Sequence, residues 1–281
     1  MTLKAKKTFL ITGVSSGLGK AFASAAVKAG HRVAGTVRRP EDAREFSLLY
    51  PQNAKAVFLD VTDYAAIPKA VEEIESHFAP IEVLVNNAGY GHEGVLEESS
   101  MDELERQFAA NVFGPVALMK AVLPGMRERG RGHIVNVTSM GGFITMPGIS
   151  FYCGSKFALQ GVSEAVAKEV ASFGVRVSTL APGSFRTDWA GRSMDRAPRK
   201  ISAYDDIMDP VRAARQAKSG RQPGDPDRAA QALLRLVESE HPPSQLLLGD
   251  DALELVGQKI KALEAEIEQW RSLSRSTSFV E

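Results

Sequence analysis

A doubly wound α/β fold, one parallel sheet covered by helices on both faces, follows from three features of the sequence. Short apolar or β-branched runs, about seven of them, recur along the chain. Helix-length amphipathic segments separate these runs, and a glycine-rich turn joins the first run to the first helix. Runs this short and this apolar suit strands buried on both faces, as in a parallel sheet. Strand and helix in alternation give βαβ units, and the Rossmann-type arrangement orders its strands 3-2-1-4-5-6-7 with a ligand crevice outside their carboxyl ends. The runs fall at 8–12, 32–37, 56–60, 83–86, 133–138, 176–180 and 245–248.

Two stretches break the rhythm. Residues 189–225 are rich in Arg, Asp, Gly and Pro and poor in apolar residues, which predicts a mobile, partly helical excursion placed where a substrate lid would sit. Residues 250–273 carry Leu253, Val256, Ile260, Leu263, Ile267 and Trp270 near a helical period, so a C-terminal helix is expected before a polar tail.

Bulk properties narrow the class. A chain of 281 residues, 44% apolar, can bury a core as a single domain spanning 1–281. Lys+Arg and Asp+Glu balance at 34 each, so no global field draws the chain to nucleic acid or anionic lipid, and a small neutral or weakly charged partner is expected. Cys153 is the only cysteine and the five histidines are scattered, which argues against a disulfide or a metal centre. The apolar run after the basic N-terminus is too short for a signal peptide. No stretch holds about 18 uninterrupted apolar residues, so we expect a cytoplasmic chain with no membrane insertion.

The first turn reads Thr12-Gly13-Val14-Ser15-Ser16-Gly17-Leu18-Gly19. Glycines there let the backbone approach a pyrophosphate, and a helix N-terminus offers unpaired N–H groups and partial positive charge. A glycine turn without a ligand is the competing reading. At the end of the second strand an NAD site carries an acid for the ribose 2′-hydroxyl, yet here Val37 is followed by Arg38 and Arg39. Two guanidinium groups suit a 2′-phosphate, so NADP(H) is favoured over NAD(H); a solvated arginine pair is the alternative.

A candidate reaction centre lies further on. Tyr152 and Lys156 are four apart and share a helix face. A tyrosine with an ordinary pKa of about 10 is a poor base, and a nearby cation lowers that value by stabilising the phenolate. Tyr152 would then exchange a proton with a carbonyl or alcohol oxygen, while Ser139, at a strand's carboxyl end, hydrogen-bonds the same oxygen. Cys153 has no histidine at a recognisable spacing and is read as a small helix residue, and His92 as a solvated loop residue near the pocket mouth.

Together the glycine spacing of Thr12–Gly19, Asn86-Asn87-Ala88-Gly89 after the fourth strand, Ser139 with Tyr152-Cys153-Gly154-Ser155-Lys156, and Pro182-Gly183-Ser184-Phe185-Arg186-Thr187 after the sixth strand resemble the classical short-chain dehydrogenases/reductases. The resemblance runs from Thr8 to Thr187 and weakens beyond. It implies a hydride-transferring oxidoreductase with Ser139, Tyr152, Lys156 and Asn111 as the catalytic set, Asn111 holding a water that links Lys156 to solvent. It also implies dinucleotide contacts from Gly13, Ser15, Ser16, Gly17, Leu18 and Gly19, and Lys156 on the nicotinamide ribose. Asp60 and Val61 would lie at the adenine, Asn87 near the adenosine ribose beside Ala88 and Gly89, and Thr187, after Pro182 and Gly183, on the carboxamide.

The pocket walls are expected at 91–94, 141–149 and beyond Trp189, where Phe143, Ile144, Met146, Ile149, Phe185 and Trp189 favour a hydrophobic ketone, aldehyde or secondary alcohol. The resemblance further implies a homodimer or homotetramer through the helices at 101–129 and 152–173, where Leu118, Met119, Val122 and Val166 would form either an interface or core. A non-catalytic dinucleotide sensor of the same fold and a nucleotide-sugar epimerase or dehydratase are the competing functions.

Overall fold

The computed structural model describes residues 6–191 and 193–279. In chain order the elements begin with β1 (Thr8–Ile11), α1 (Gly17–Lys28), β2 (Arg32–Val37), α2 (Pro40–Leu49), β3 (Ala54–Phe58), α3 (Ala66–His77) and β4 (Val83–Asn86). They continue with β5 (Gly91–Glu93), α4 (Met101–Phe108), a π-helical turn at Ala109–Phe113, α5 (Gly114–Glu128), β6 (Gly132–Val137), α6 (Ser150–Val170) and β7 (Val175–Pro182). Last come β8 (Met194–Arg196), α7 (Asp205–Lys218), α8 (Pro226–Glu238), β9 (Gln245–Leu248) and α9 (Asp250–Ser276).

Seven strands form one parallel sheet in the order β3-β2-β1-β4-β6-β7-β9, the order expected from the sequence once the short β5 and β8 are set apart. Successive side chains of a strand point to opposite faces, and each face here has its own core. Phe9 and Ile11 of β1 join Val33, Val83, Val85 and Val135 in a cluster with Phe22 of α1 and Leu233 of α8. Leu10, between them, joins Leu84 and Ile134 in the opposite cluster with Ile67 of α3 and Leu118 of α5. A strand that feeds two cores has no polar face, which is why the runs in the sequence are almost wholly apolar.

The third strand begins and ends two residues earlier than the apolar run suggested, so Asp60 and Val61 lie in the turn that follows it. The apolar positions offered as a possible interface are core instead: Leu118, Met119 and Val122 are fully or almost fully buried, and Val166 packs against the same cluster. The stretch Met101–Glu128 is long and apolar enough to cross a membrane by length and composition, and its apolar side is used in this way.

Residues 189–225 are partly helical but firmly tied down. β8 pairs with β5 through Gly91–Met194, His92–Asp195 and Glu93–Arg196, forming a separate two-stranded sheet. Glu98 accepts hydrogen bonds from the backbone N–H of Lys200 (2.6 Å) and Ile201 (2.8 Å), and these bonds hold its carboxyl below the usual range. Glu93, which is buried, pairs with Arg215 of α7 and lies 3.5 Å from Arg196. Buried carboxylates need such partners, and the Arg-rich stretch supplies Arg196 and Arg215 for Glu93.

His133 of β6 is 4% exposed, and its Nε2 lies 3.0 Å from Ser178 Oγ on β7. Burial, with the charges of Arg176 and Lys7, pulls its pKa down to about 4. The unfolded chain takes up this proton near pH 6.5, so between about 6.5 and 4 unfolding is favoured as pH falls, by up to about 3 kcal/mol. Urea unfolding at pH 7, 5.5 and 4.5 should show that loss, and His133→Gln should flatten the slope over that window; an unchanged slope in the variant assigns the loss to other groups.

Candidate active site

Backbone that glycine adopts freely shapes the turn after β1. Gly13 and Gly17 have φ of 71° and 55°, in the left-handed region where a side chain is strained. Gly19 is needed for closeness: a Cβ there would lie 2.1 Å from the Gly13 carbonyl oxygen. Ser16, the N-cap of α1, makes no side-chain capping bond, and the first turn of the helix carries no acid. The leading N–H groups and the partial positive charge are thus left for an anion, and these residues fit a dinucleotide pyrophosphate. Ser15 is exposed beside them, and the Leu18 side chain packs against the first core.

The same turn is tied to the carboxyl end of β4. Thr12 Oγ1 accepts from the backbone N–H of Asn87 and of Ala88, both at 2.9 Å. Asn87 Nδ2 donates back to the carbonyls of Thr12 (2.9 Å) and Gly13 (3.3 Å), so the amide expected near a ribose is engaged in holding the turn. Gly89 leaves room for Asn111, whose Oδ1 would stand 2.8 Å from a Cβ at that position.

The two arginines after β2 have different situations. Arg39 donates to Asp42 through Nε (2.9 Å) and a terminal nitrogen (2.7 Å), which places Asp42 in the first turn of α2 as the arginine's partner. Arg38 is largely exposed and lies 3.8 Å from Asp60. Partial burial pushes the Asp60 carboxyl up, but hydrogen bonds from Thr62 and the Arg38 charge outweigh it and hold the group below its usual value. Val61 is buried.

Ser139, Tyr152, Lys156 and Asn111 are brought together beyond the ends of β4 and β6. Tyr152 lies in the first turn of α6 and Lys156 one turn later, with Nζ 5.7 Å from the centre of the Tyr152 ring and donating to the Val137 carbonyl at 2.9 Å. Ser139 caps a short turn by accepting from Gly141 N–H (3.0 Å), and its hydroxyl lies beside the Tyr152 ring, both within 3.4 Å of where a Cβ on Gly141 would stand. Asn111 sits in the middle of the π-helical turn. Its Oδ1 accepts from Tyr90 N–H, and its Nδ2 reaches the Tyr90 carbonyl and Ser155 Oγ, each at 3.1 Å.

Burial dominates the electrostatics of this group. It pushes the Tyr152 phenol up to about 12, against the opposing pull of the Ser139 hydroxyl. It draws Lys156 down to about 8. The expectation that the lysine would lower the tyrosine's pKa is not met by the chain's own residues, because desolvation outweighs it and the ammonium is bonded to a backbone carbonyl. Cys153 is buried, and that burial pushes its thiol up, which is in keeping with a small helix residue.

Around Tyr152 the wall is apolar. Ile149 and Cys153 pack with it, Met146 and Trp189 lean on them, and the Trp189 ring stands 5.0 Å from the Tyr152 ring. Phe185 does not belong to this wall: it packs against the first core, because Gly224 leaves it space there. His92 is not solvated either; it is 1% exposed, stacked on Phe151 at 5.0 Å and 3.7 Å from Glu103.

Beyond β7, Thr187 caps the turn at Asp188–Ala190 and faces α1, so that a Cβ on Gly17 would be 3.6 Å from its methyl carbon. Pro182 closes β7, and Gly183 admits α9: a Cβ there would lie 2.1 Å from Asp251 Oδ1, while Asp251 also accepts from Ser184 N–H at 2.8 Å. Sequence reasoning missed Asp251 and the structural role of Thr12. A partner 67 positions away leaves no local signal.

The model of the short chain dehydrogenase family matches residues 7–197. A curated relative, oxidoreductase BOA17 of Botryotinia fuckeliana, is 38% identical over 97% of this chain and 99% of its own. A 3-ketodihydrosphingosine reductase of Bacteroides thetaiotaomicron is 36% identical over 85% of this chain and 87% of its own. The crystal structure of a short-chain dehydrogenase from Streptomyces avermitilis superposes with a TM-score of 0.91 at 40% identity, covering 98% of this chain and 99% of that one. The chain therefore belongs to the short-chain dehydrogenase/reductase family, enzymes that act on CH–OH or carbonyl groups with a nicotinamide dinucleotide.

Proposed function

We propose that this protein is an NADP(H)-preferring carbonyl reductase or alcohol dehydrogenase whose substrate is a hydrophobic ketone, aldehyde or secondary alcohol, with Tyr152 as the acid/base. The observation that carries the reading is the convergence of Ser139, Tyr152 and Lys156 on one buried spot beside an apolar wall. When bound, the nicotinamide supplies or accepts the hydride at the substrate carbon. The chain's residues manage the oxygen and its proton.

A phenol with a pKa near 12 is protonated at neutral pH, so Tyr152 is ready to donate its proton to a carbonyl oxygen. The Ser139 hydroxyl, beside the phenol, holds the substrate oxygen at the same point and fixes its approach. Lys156, still largely cationic at pH 7, stabilises the negative charge left on the phenolate after donation. Asn111, through its bonds to Tyr90 and Ser155, fixes the backbone behind Lys156 and borders the path by which a water returns the proton. Arg38 supplies the exposed guanidinium for a 2′-phosphate, and the strand end carries no carboxylate to receive a free 2′-hydroxyl. The Bacteroides relative, a 3-ketodihydrosphingosine reductase, is in keeping with a carbonyl substrate beside the apolar wall at Met146, Ile149 and Trp189.

Tyr152→Phe should lower kcat for NADPH-dependent reduction of a carbonyl panel by at least about 100-fold while leaving NADPH affinity within a few-fold, read by NADPH absorbance and by fluorescence titration. Equal turnover in both proteins removes Tyr152 from the mechanism. Turnover at saturating substrate is expected to fall as pH rises through about 8, where Lys156 loses its proton; a profile flat to pH 10 would exclude the ammonium's role. Arg38→Ala should weaken NADPH binding by about tenfold or more and leave NADH nearly unchanged. The same loss for both cofactors would mean that Arg38 does not read the phosphate.

A further inference from the structure

Beyond its first two turns, α9 leaves the body of the protein. Ala252 and Val256 are its buried residues, and every position from Lys259 to Ser276 is exposed. At about 1.5 Å per residue, the free part extends roughly 27 Å. In proteins most helical stability comes from packing an amphipathic face, and this free part lacks such packing. It also carries a continuous apolar stripe: Leu253, Ile260, Leu263, Ile267, Trp270 and Leu273 are each about half exposed.

Leu253, Val256, Ile260, Leu263, Ile267 and Trp270 follow one another at intervals of three, four, three, four and three, the a and d positions of a heptad repeat. With Leu253 at a, the flanking e and g positions in the free part are Lys259, Glu264, Glu266, Arg271 and, near the end, Leu273. In a parallel pair each g position meets the following e position of the partner helix. Lys259 then faces Glu264, and Glu266 faces Arg271, so both contacts join opposite charges. Arg271 donates to Glu268 on its own helix at 2.7 Å, and its guanidinium would be shared between that carboxylate and Glu266 of the partner helix. Ile260 and Ile267 at a with Leu263 at d is the combination that favours two strands and a parallel direction.

We infer that α9 pairs with α9 of a second copy of this chain as a parallel two-stranded coiled coil. The six exposed apolar side chains offer about 600 Å² per chain, the upper end of the apolar patch of a typical monomer, or about 1,200 Å² for the pair, the lower end of specific interfaces. A lipid surface is the less suited occupant. The helix carries six acidic residues against four basic ones, and anionic membranes repel that balance. The inference rests on the helix alone and is independent of the catalytic reading.

The test is the mass of the full chain by light scattering during size-exclusion chromatography, with circular dichroism and thermal melting as controls of the fold. Leu263→Glu with Ile267→Glu should halve the mass found for the unaltered protein at the same concentration. Glu264→Lys with Glu266→Lys, which sets like charges face to face, should weaken association at least tenfold. Adding Lys259→Glu and Arg271→Glu to that variant should restore it. Equal mass for the unaltered protein and the apolar double variant overturns the pairing, as does capture of the unaltered protein by vesicles of phosphatidylcholine and phosphatidylglycerol with no change in its mass. Failure of the fourfold charge swap to restore association overturns the parallel register.

Discussion

The bond network joining the turn after β1 to the turn after β4 is the constraint on which the site depends. Thr12 accepts two backbone N–H groups from Asn87 and Ala88, and Asn87 returns its amide to the carbonyls of Thr12 and Gly13. These turns belong to adjacent strands of the parallel sheet, and both sit at carboxyl ends. Parallel pairing brings the strand ends to one edge, but it does not set the distance between the loops that leave them. Thr12 and Asn87 set it. With the glycine turn fixed, the N-terminus of α1 has one direction, and Gly89 has one position against Asn111.

From Asn111 the chain of support leads to the reaction centre. A π-helical turn inserts an extra residue into a helix and rotates what it carries, and such turns cluster at functional sites. Here it lies between α4 and α5 and turns Asn111 away from the core formed by Leu118 and Val122, toward Tyr90 and Ser155. Ser155 accepts from Asn111 and donates to the Tyr152 carbonyl at 2.7 Å, so the amide steadies the turn of α6 that carries both Tyr152 and Lys156. Asn86 and Asn136 extend the same logic below the site: Asn86 donates to Asn136, and Asn136 donates to Ser163 of α6, each at 2.8 Å. A buried polar seam of this kind fixes how a helix sits on a sheet more narrowly than apolar contact does, although Asn86 Oδ1 has no partner among the described residues.

Much of this was legible in the sequence because it is local or periodic. The strand runs are apolar because each strand faces two cores, and Tyr152 and Lys156 share a helix face because they are four apart. What stayed hidden is long-range. The resemblance puts Asn87 near the adenosine ribose, but nothing local shows that its amide nitrogen binds the turn 75 positions earlier. Gly183 looked like part of a cofactor loop, and its lack of a side chain admits Asp251. The charged stretch after Trp189 suggested mobility because composition cannot show that Glu93 and Glu98, a hundred positions earlier, are buried and in need of those arginines and N–H groups. The pairing of β5 with β8 was unreadable for the same reason, since three-residue strands carry no period.

The sign of the electrostatics at Tyr152 and Lys156 also follows from burial, and it bears on how such a site works. Removing a phenol and an ammonium from water favours the neutral form of each, which raises the one to about 12 and lowers the other to about 8. The two shifts converge on a state at pH 7 in which the phenol keeps its proton while the lysine retains most of its charge. Moving the phenol's proton to a substrate oxygen creates an anion beside a cation in a place where water screens little, so the attraction gained is larger than it would be at the surface. On the proposed mechanism the lysine is therefore most effective after the proton has left, and least needed before. Val137, whose carbonyl accepts the ammonium at 2.9 Å, keeps that charge in place through the step without neutralising it.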